Sequence, residues 1–182
     1  MAVTSSPSAV TESSPITGDW HVDAEQSHAR FVAATLRGAV KVRGAFGSLS
    51  GNLVANGQGT SGTLAIDAAS VDTDNRLRDH HLRGRDFFGV AKHPQLRYEL
   101  RSLEQGASEL VRLEGDLLVA GTRTALPLEG TIRRREDGSA EIACRTSVDR
   151  FALGLRGART MVPRDVDLDV SVMLRRASEA EA

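Results

Sequence analysis

The sequence predicts an all-β protein, a succession of antiparallel strands closed into a barrel or stacked as a sandwich and interrupted once by a short helix. Three observations lead there. From Trp20 onward, apolar and polar residues alternate with a period of two, as in strands that bury one face. Turn residues fall between the alternating runs, and the 17 glycines are spread over the chain, which suits tight turns and a curved sheet. Only one stretch, "SVDTDNRLRDHHLRGRDFF" from Ser70 to Phe88, breaks the alternation for long.

Taken in order, Met1 to Thr17 is rich in Ser, Thr and Pro and carries too little apolar surface to offset its ordering entropy; it is expected to be a loose tail. The domain then runs from 18 to 176. Phe31, Leu36 and Phe46 are the inward candidates of the first strands. "LSGNLVA" is followed by Asn56-Gly57, a hairpin dipeptide, and "TLAIDA" places Leu64 and Ile66 on one face. A helix is expected from about Asp74 to Leu82, with Ser70, Asp72 and Thr73 as available N-caps and Gly84 suited to its end.

"LRYELRSLE" sets Leu96, Tyr98, Leu100 and Leu103 against Arg97, Glu99, Arg101 and Ser102, with a slip of one step that reads as a strand end. "VRLEGDLLV" directs Val111, Leu113, Leu117 and Val119 inward around Gly115, a candidate bulge. Leu126 and Leu128 follow, and Asp137-Gly138 marks another hairpin. "EIACRTSVD" aligns Ile142, Cys144, Thr146 and Val148. "VDLDVSVML" aligns Val166, Leu168, Val170, Val172 and Leu174, with Asp167, Asp169, Ser171 and Met173 opposite. Ala177 to Ala182 reads as a second loose tail.

Bulk properties narrow the function classes. A chain of 182 residues suits one domain with a sizeable core. The net charge of −1 gives no electrostatic reason for a nucleic-acid partner. The single cysteine, Cys144, excludes an internal disulfide and reads as an inert buried thiol. No stretch approaches the roughly 18 apolar residues of a membrane span, and the first residues lack the basic and apolar regions of a secretory signal. The cytoplasm is the expected location.

A barrel of about eight strands can hold a small ligand. The expected interior is aliphatic and aromatic, which fits either a filled core or an apolar tunnel; periodicity alone favours the filled core.

Several phrases at ordered spacing carry a resemblance. They are "GDWHVDAEQSHARFVA", "VRGAFGSLSGNLV", "ASVDTDNRLRDHHLRGRDFFGVAKHPQLRYEL", "LEGDLLVAGTRTALPLEG" and "TSVDRFALGL". In the middle block, Asp72, Thr73, Asn75, Arg76, Asp79, Leu82, Phe87, Phe88 and Pro94 fall at characteristic spacing, and Gly115, Leu117 and Gly121 add a second anchor. Together they resemble the YceI-like family of lipocalin-like, polyisoprenoid-binding proteins over about Gly18 to Leu174. The family often reads D-x-x-H-S near its first strands; here Asp23, Gln26 and Ser27 are followed by a histidine only at His28.

The resemblance implies an extended lipocalin-like barrel with a helical insert and a deep apolar channel for a long isoprenoid, such as a polyprenyl chain or an isoprenoid quinone. It brings no catalytic residues, cofactor or metal. The lining candidates are Phe31, Phe46, Leu64, Ile66, Phe87, Phe88, Tyr98, Leu100, Leu117, Leu126, Leu128, Ile142, Phe151, Leu168, Val170 and Val172.

The remaining motifs are read structurally. His80 and His81 are adjacent, about 100° apart on a helix, and cannot both face one ion. His21, His28 and His93 offer no pair at ligand spacing, and no G-x-S-x-G elbow supports a hydrolase built on Asp79 or Asp86. Arg76 and Asp79 are expected to pair. One of Phe87 and Phe88 is expected to plug the barrel end, and one ring to border the channel. Arg133 to Arg135 reads as a solvated hairpin tip that would meet a pyrophosphate only if it lay at the mouth. Phe151, Leu153, Leu155, Met161 and Val162 belong to an irregular segment across the entrance.

The expectation is a non-enzymatic isoprenoid-binding barrel, with edge-strand pairing to a second copy left open. Its rivals are a packed barrel acting as a stress-related interaction module and an enzyme acting on an isoprenoid in the same cavity.

Overall fold

The computed structural model describes residues 15–35, 40–106, 108–157, 162 and 164–177. Leu36 and Met161, named above, lie outside the described residues, as do 1–14 and 178–182 of the two expected tails.

Eleven strands form one antiparallel sheet: β1 (Gly18–Thr35), β2 (Val40–Phe46), β3 (Leu49–Asn56), β4 (Gly59–Asp67), β5 (Val71–Asp72), β6 (Gln95–Gln105), β7 (Leu110–Val119), β8 (Thr122–Ala125), β9 (Leu128–Arg134), β10 (Ala140–Asp149) and β11 (Asp165–Arg176). The sheet closes because β1 pairs with β11, from Trp20 opposite Arg176 to Ala33 opposite Val166. Around the ring run β1, β3, β4, β6, β7, β9, β10 and β11, an eight-stranded barrel. Two ring positions are shared by broken strands. β1 meets β3 through Gly18–His21 and β2 through Ala29–Thr35. β7 meets β9 through Leu110–Leu113 and β8 through Asp116–Val119.

The hairpins β3–β4, β6–β7 and β9–β10 gather at one end, the floor. The β9–β10 turn is a three-residue loop with Gly138 at φ 81°, where a left-handed residue is required, and the Asp137 carboxylate accepts the Ser139 N–H at 2.9 Å. The floor is packed: Ile16, Trp20, Leu53, Val111, Leu113, Ile132, Ala140 and Leu174 belong to one buried cluster. Ile16 was expected in the loose tail, yet it is only 5% exposed. Arg134 donates to the Pro15 carbonyl at 2.6 Å and holds that segment down. Arg133 to Arg135 therefore sit at the floor. Arg133 pairs with Glu109 and Arg135 with Glu141, far from the place where a pyrophosphate was considered.

The slip in "LRYELRSLE" is not a strand end. Leu100 faces Gly115 and Ser102 faces Glu114, so Arg101 is a bulge inside β6, and Leu103 returns to the inner face beyond it. The bulge expected at Gly115 thus lies on the strand opposite. β1 has a longer excursion between Asp23 and His28: Asp23 accepts the Glu25 N–H, and the Ser27 hydroxyl accepts the Met173 N–H at 2.9 Å. Beside it, Met173 and Ser171 are buried although they point to the outer side of the alternation.

The helix α1 (Arg76–Arg83) starts later than expected, because the Asn75 side chain, not Ser70, Asp72 or Thr73, caps it by accepting the Arg78 N–H. Asp79 does not pair with Arg76. It turns inward to accept the Thr73 N–H at 3.0 Å and the Thr73 hydroxyl at 2.6 Å, while Arg78 donates to the Thr73 hydroxyl and carbonyl, both at 2.7 Å. Arg83 donates to the Ala69 and Val71 carbonyls, both at 2.8 Å, tying the far end of α1 to the barrel.

Candidate functional site: an apolar channel

Inside the barrel lies a cavity of about 250 Å³. Its wall draws on both core clusters, from Leu113, Ile142 and Leu174 near the floor to Leu82, Phe87, Leu155 and Val162 at the other end. It is therefore long and narrow. Inward side chains along its upper and middle part, among them Phe31, Leu64, Leu117, Val166, Leu168 and Val170, are only half-buried, while those at the floor are buried. The barrel is hollow above a packed floor, so the filled-core expectation from periodicity is overturned.

All the lining candidates named from the sequence face this cavity except Phe151. Phe151 instead lies beneath the guanidiniums of Arg150 and Arg164, 4.6 and 5.2 Å from its ring centroid. The Asp149 carboxylate, which accepts the Phe151 N–H at 2.8 Å, turns the chain there and takes the ring off the inner face. Leu153, Leu155 and Val162 of the same segment do reach the cavity. Arg150, 3% exposed, holds the segment together by donating to the carbonyls of Leu155, Gly157 and Val162 at 2.6, 2.8 and 2.8 Å.

Phe88 is the buried plug, edge-on to Phe46 at 5.6 Å between ring centroids; Phe46 in turn meets Phe31 at 5.8 Å. Phe87 is more open and packs against Gly157, where any Cβ would strike its ring. Both rings face the cavity, so plug and channel border are adjacent parts of one aromatic group.

Tyr98 and Cys144 bring weakly acidic groups to the wall, beside the polar side chains of Arg30, Asn52, Thr63, Thr146 and Arg150. The Tyr98 hydroxyl donates to the Leu126 carbonyl at 2.9 Å, and burial pushes the phenol up to about 12. Burial also raises the Cys144 thiol to about 11, so it stays protonated at neutral pH. His80 and His81 are exposed on α1 and are not part of the wall. Among the described residues no group of three or more His, Cys, Asp or Glu side chains is placed to hold a metal ion.

Sequence reasoning directed Leu113 inward without naming it as lining, and missed other wall residues, including Val22, Leu53 and Leu82. Val22, Leu53 and Leu113 follow the same alternation as the residues it found. Trp20 and Ile16, which close the floor, lie at or before the point where the alternation becomes legible.

The model of the YceI-like domain matches residues 20–174. The chain belongs to the YceI-like family. Protein YceI of Escherichia coli O157:H7 is 30% identical over 124 residues, 65% of this chain and 64% of that protein, so the chain spans less than two thirds of that relative's length. A UPF0312 protein of Yersinia pestis is 28% identical over 127 residues, covering 67% of this chain and 65% of the relative.

Among solved structures, BcnA of Burkholderia cenocepacia superimposes with a TM-score of 0.74 at 18% identity, covering 84% of this chain and 98% of BcnA. A polyisoprenoid binding domain from Saccharophagus degradans, implicated in plant cell wall breakdown, gives 0.74 at 18% identity, covering 87% and 98%. The Campylobacter jejuni YCEI protein gives 0.60 at 24% identity, covering 77% and 86%. At these identities the likeness establishes the fold that this YceI-like chain shares with them.

Proposed function

We propose that this YceI-like protein binds a long-chain isoprenoid lipid, a polyprenyl chain or an isoprenoid quinone, and sequesters or carries it. The observation that carries the reading is the elongated cavity walled almost wholly by aliphatic and aromatic side chains. A wall so largely apolar rewards apolar length: burial contributes about 25 cal/mol per Å² before the ordering costs of binding. The polyisoprenoid-binding domain among the structural neighbours supports the same ligand class. A packed interaction module would have its interior filled, and the cavity argues against it. An enzyme in the same cavity would need a titrating inward group. The two weakly acidic side chains there, Tyr98 and Cys144, are both held neutral.

The test is mass spectrometry of an organic extract from protein purified without detergent, followed by titration with isoprenoid quinones and polyprenols. Near one equivalent of isoprenoid is expected, and Leu117→Trp with Val170→Trp, in a folded barrel, is expected to remove it. Failure of every added isoprenoid to bind would overturn the proposal.

A further inference from the structure

We infer that the channel is a closed-end gauge of chain length whose stop is the indole of Trp20; the inference rests on the isoprenoid reading above. The wall ends at Val22, Leu53, Leu113 and Leu174. Trp20 is the next inward residue of β1, two positions before Val22 and in register with Leu53 and Arg176, and it is 2% exposed without belonging to the wall. The indole backs this last layer of the wall, so an apolar tail descending the channel comes to rest above it.

The ring is fixed, not a side chain that swings aside. Its Nε1–H donates to the Thr17 carbonyl at 3.0 Å, and the Arg176 guanidinium lies 5.3 Å from the ring centroid. Ile16 packs in the same cluster, and Arg134 anchors Pro15 beyond it. A tail that passed the indole would have to leave apolar surroundings for these guanidiniums, at the cost of the burial that drives binding. The other end differs: Phe31, Phe87, Leu155 and Val162 are partly exposed there. The tail enters at that end, and any polar head remains there.

A stop of this kind makes affinity depend on length in two regimes. Each five-carbon unit raises affinity by roughly tenfold or more while it adds buried surface, and units beyond the stop add nothing. Trp20 is also the chain's only tryptophan, so its own emission reports when a tail arrives.

The experiment titrates the whole protein with all-trans polyprenols of defined length, delivered from cyclodextrin. Affinity is read by displacement of a fluorescent fatty acid, and Trp20 emission is recorded alongside. The expected result is a break: affinity rises with length and then levels, with the emission change appearing first at the length where the break occurs. Trp20→Ala should move the break to longer chains. Val22→Phe, which adds bulk one layer above the stop and leaves the floor intact, should move it to shorter ones and serves if Trp20→Ala does not fold. Affinity that climbs without a break, or a break unmoved in both folded variants, overturns the gauge and leaves the isoprenoid reading standing. Absence of binding at every length removes both.

Discussion

Gly115 shows how a single missing side chain shapes the channel. A Cβ there would lie 2.7 and 2.8 Å from Cζ and Oη of Tyr98 and 2.6 Å from the Glu99 carbonyl oxygen. The absence of that atom lets the tyrosine ring lie against β7 and reach the Leu126 carbonyl, with no need to project across the lumen. Gly115→Ala is expected to cost about 1–3 kcal/mol, measured by urea unfolding, and to weaken ligand binding by pushing the ring into the channel. Cys144 offers a second test. Its thiol is protonated and buried, so at pH 8 it should react with an aromatic disulfide reagent far more slowly in the folded than in the urea-unfolded protein. A bound chain should slow it further, since Cys144 is part of the wall.

At the scale of elements, the strands were legible in the sequence and the insert was legible only in outline. Alternation survives in sequence because a strand with one buried face must repeat every second residue, and the assignments for β4, β7, β10 and β11 followed from it. It misled where geometry departs from a regular strand. The bulge at Arg101 read as a strand end, and Met173, on the outer face, is buried beside the β1 excursion. The insert depends on pairings that no period encodes. Proximity in sequence pairs Asp79 with Arg76, but Asp79 folds back on Thr73, six residues earlier.

The Asp79–Thr73–Arg78 knot and the Arg83 bonds to Ala69 and Val71 set the direction in which the chain delivers Phe88 to Phe46. Asp79→Ala would leave the Thr73 N–H and hydroxyl without their acceptor and is expected to cost about 1–3 kcal/mol. Hydrogen exchange should show the loss first in 73–95, with β9 and β10 unaffected. Uniform loss of protection would mean that the knot supports the whole barrel.

For the whole molecule, a hollow interior means that ligand and stability are linked. A ligand that binds only the folded barrel stabilises it by about 2.7 kcal/mol at a free concentration one hundred times its Kd. For a chain of this size that raises Tm by about 5–10 °C, which thermal unfolding with and without isoprenoid would detect. Acid acts in the opposite direction. Asp23, Asp116 and Asp149 are held below the ordinary carboxylate range by hydrogen bonds from Arg175, Arg101 and Arg164. A lowered pKa in the fold means that these groups stabilise it at neutral pH and that the contribution is lost as pH falls below about 4. Because all three pairs lie at the surface, the loss should be modest and reduced by added salt.

The pairing of β1 with β11 also fixes when the channel can exist. The two strands that close the ring are the first and the last of the described strands, and contacts so distant in sequence form late and slowly. Until β11 docks, the inward faces of β1 and β10 have no neighbour on one side, and the lumen is an open gutter. On the proposed reading, a ribosome-bound chain stalled before Asp165 should hold no isoprenoid. The same interval is when the apolar inner faces are most exposed to aggregation.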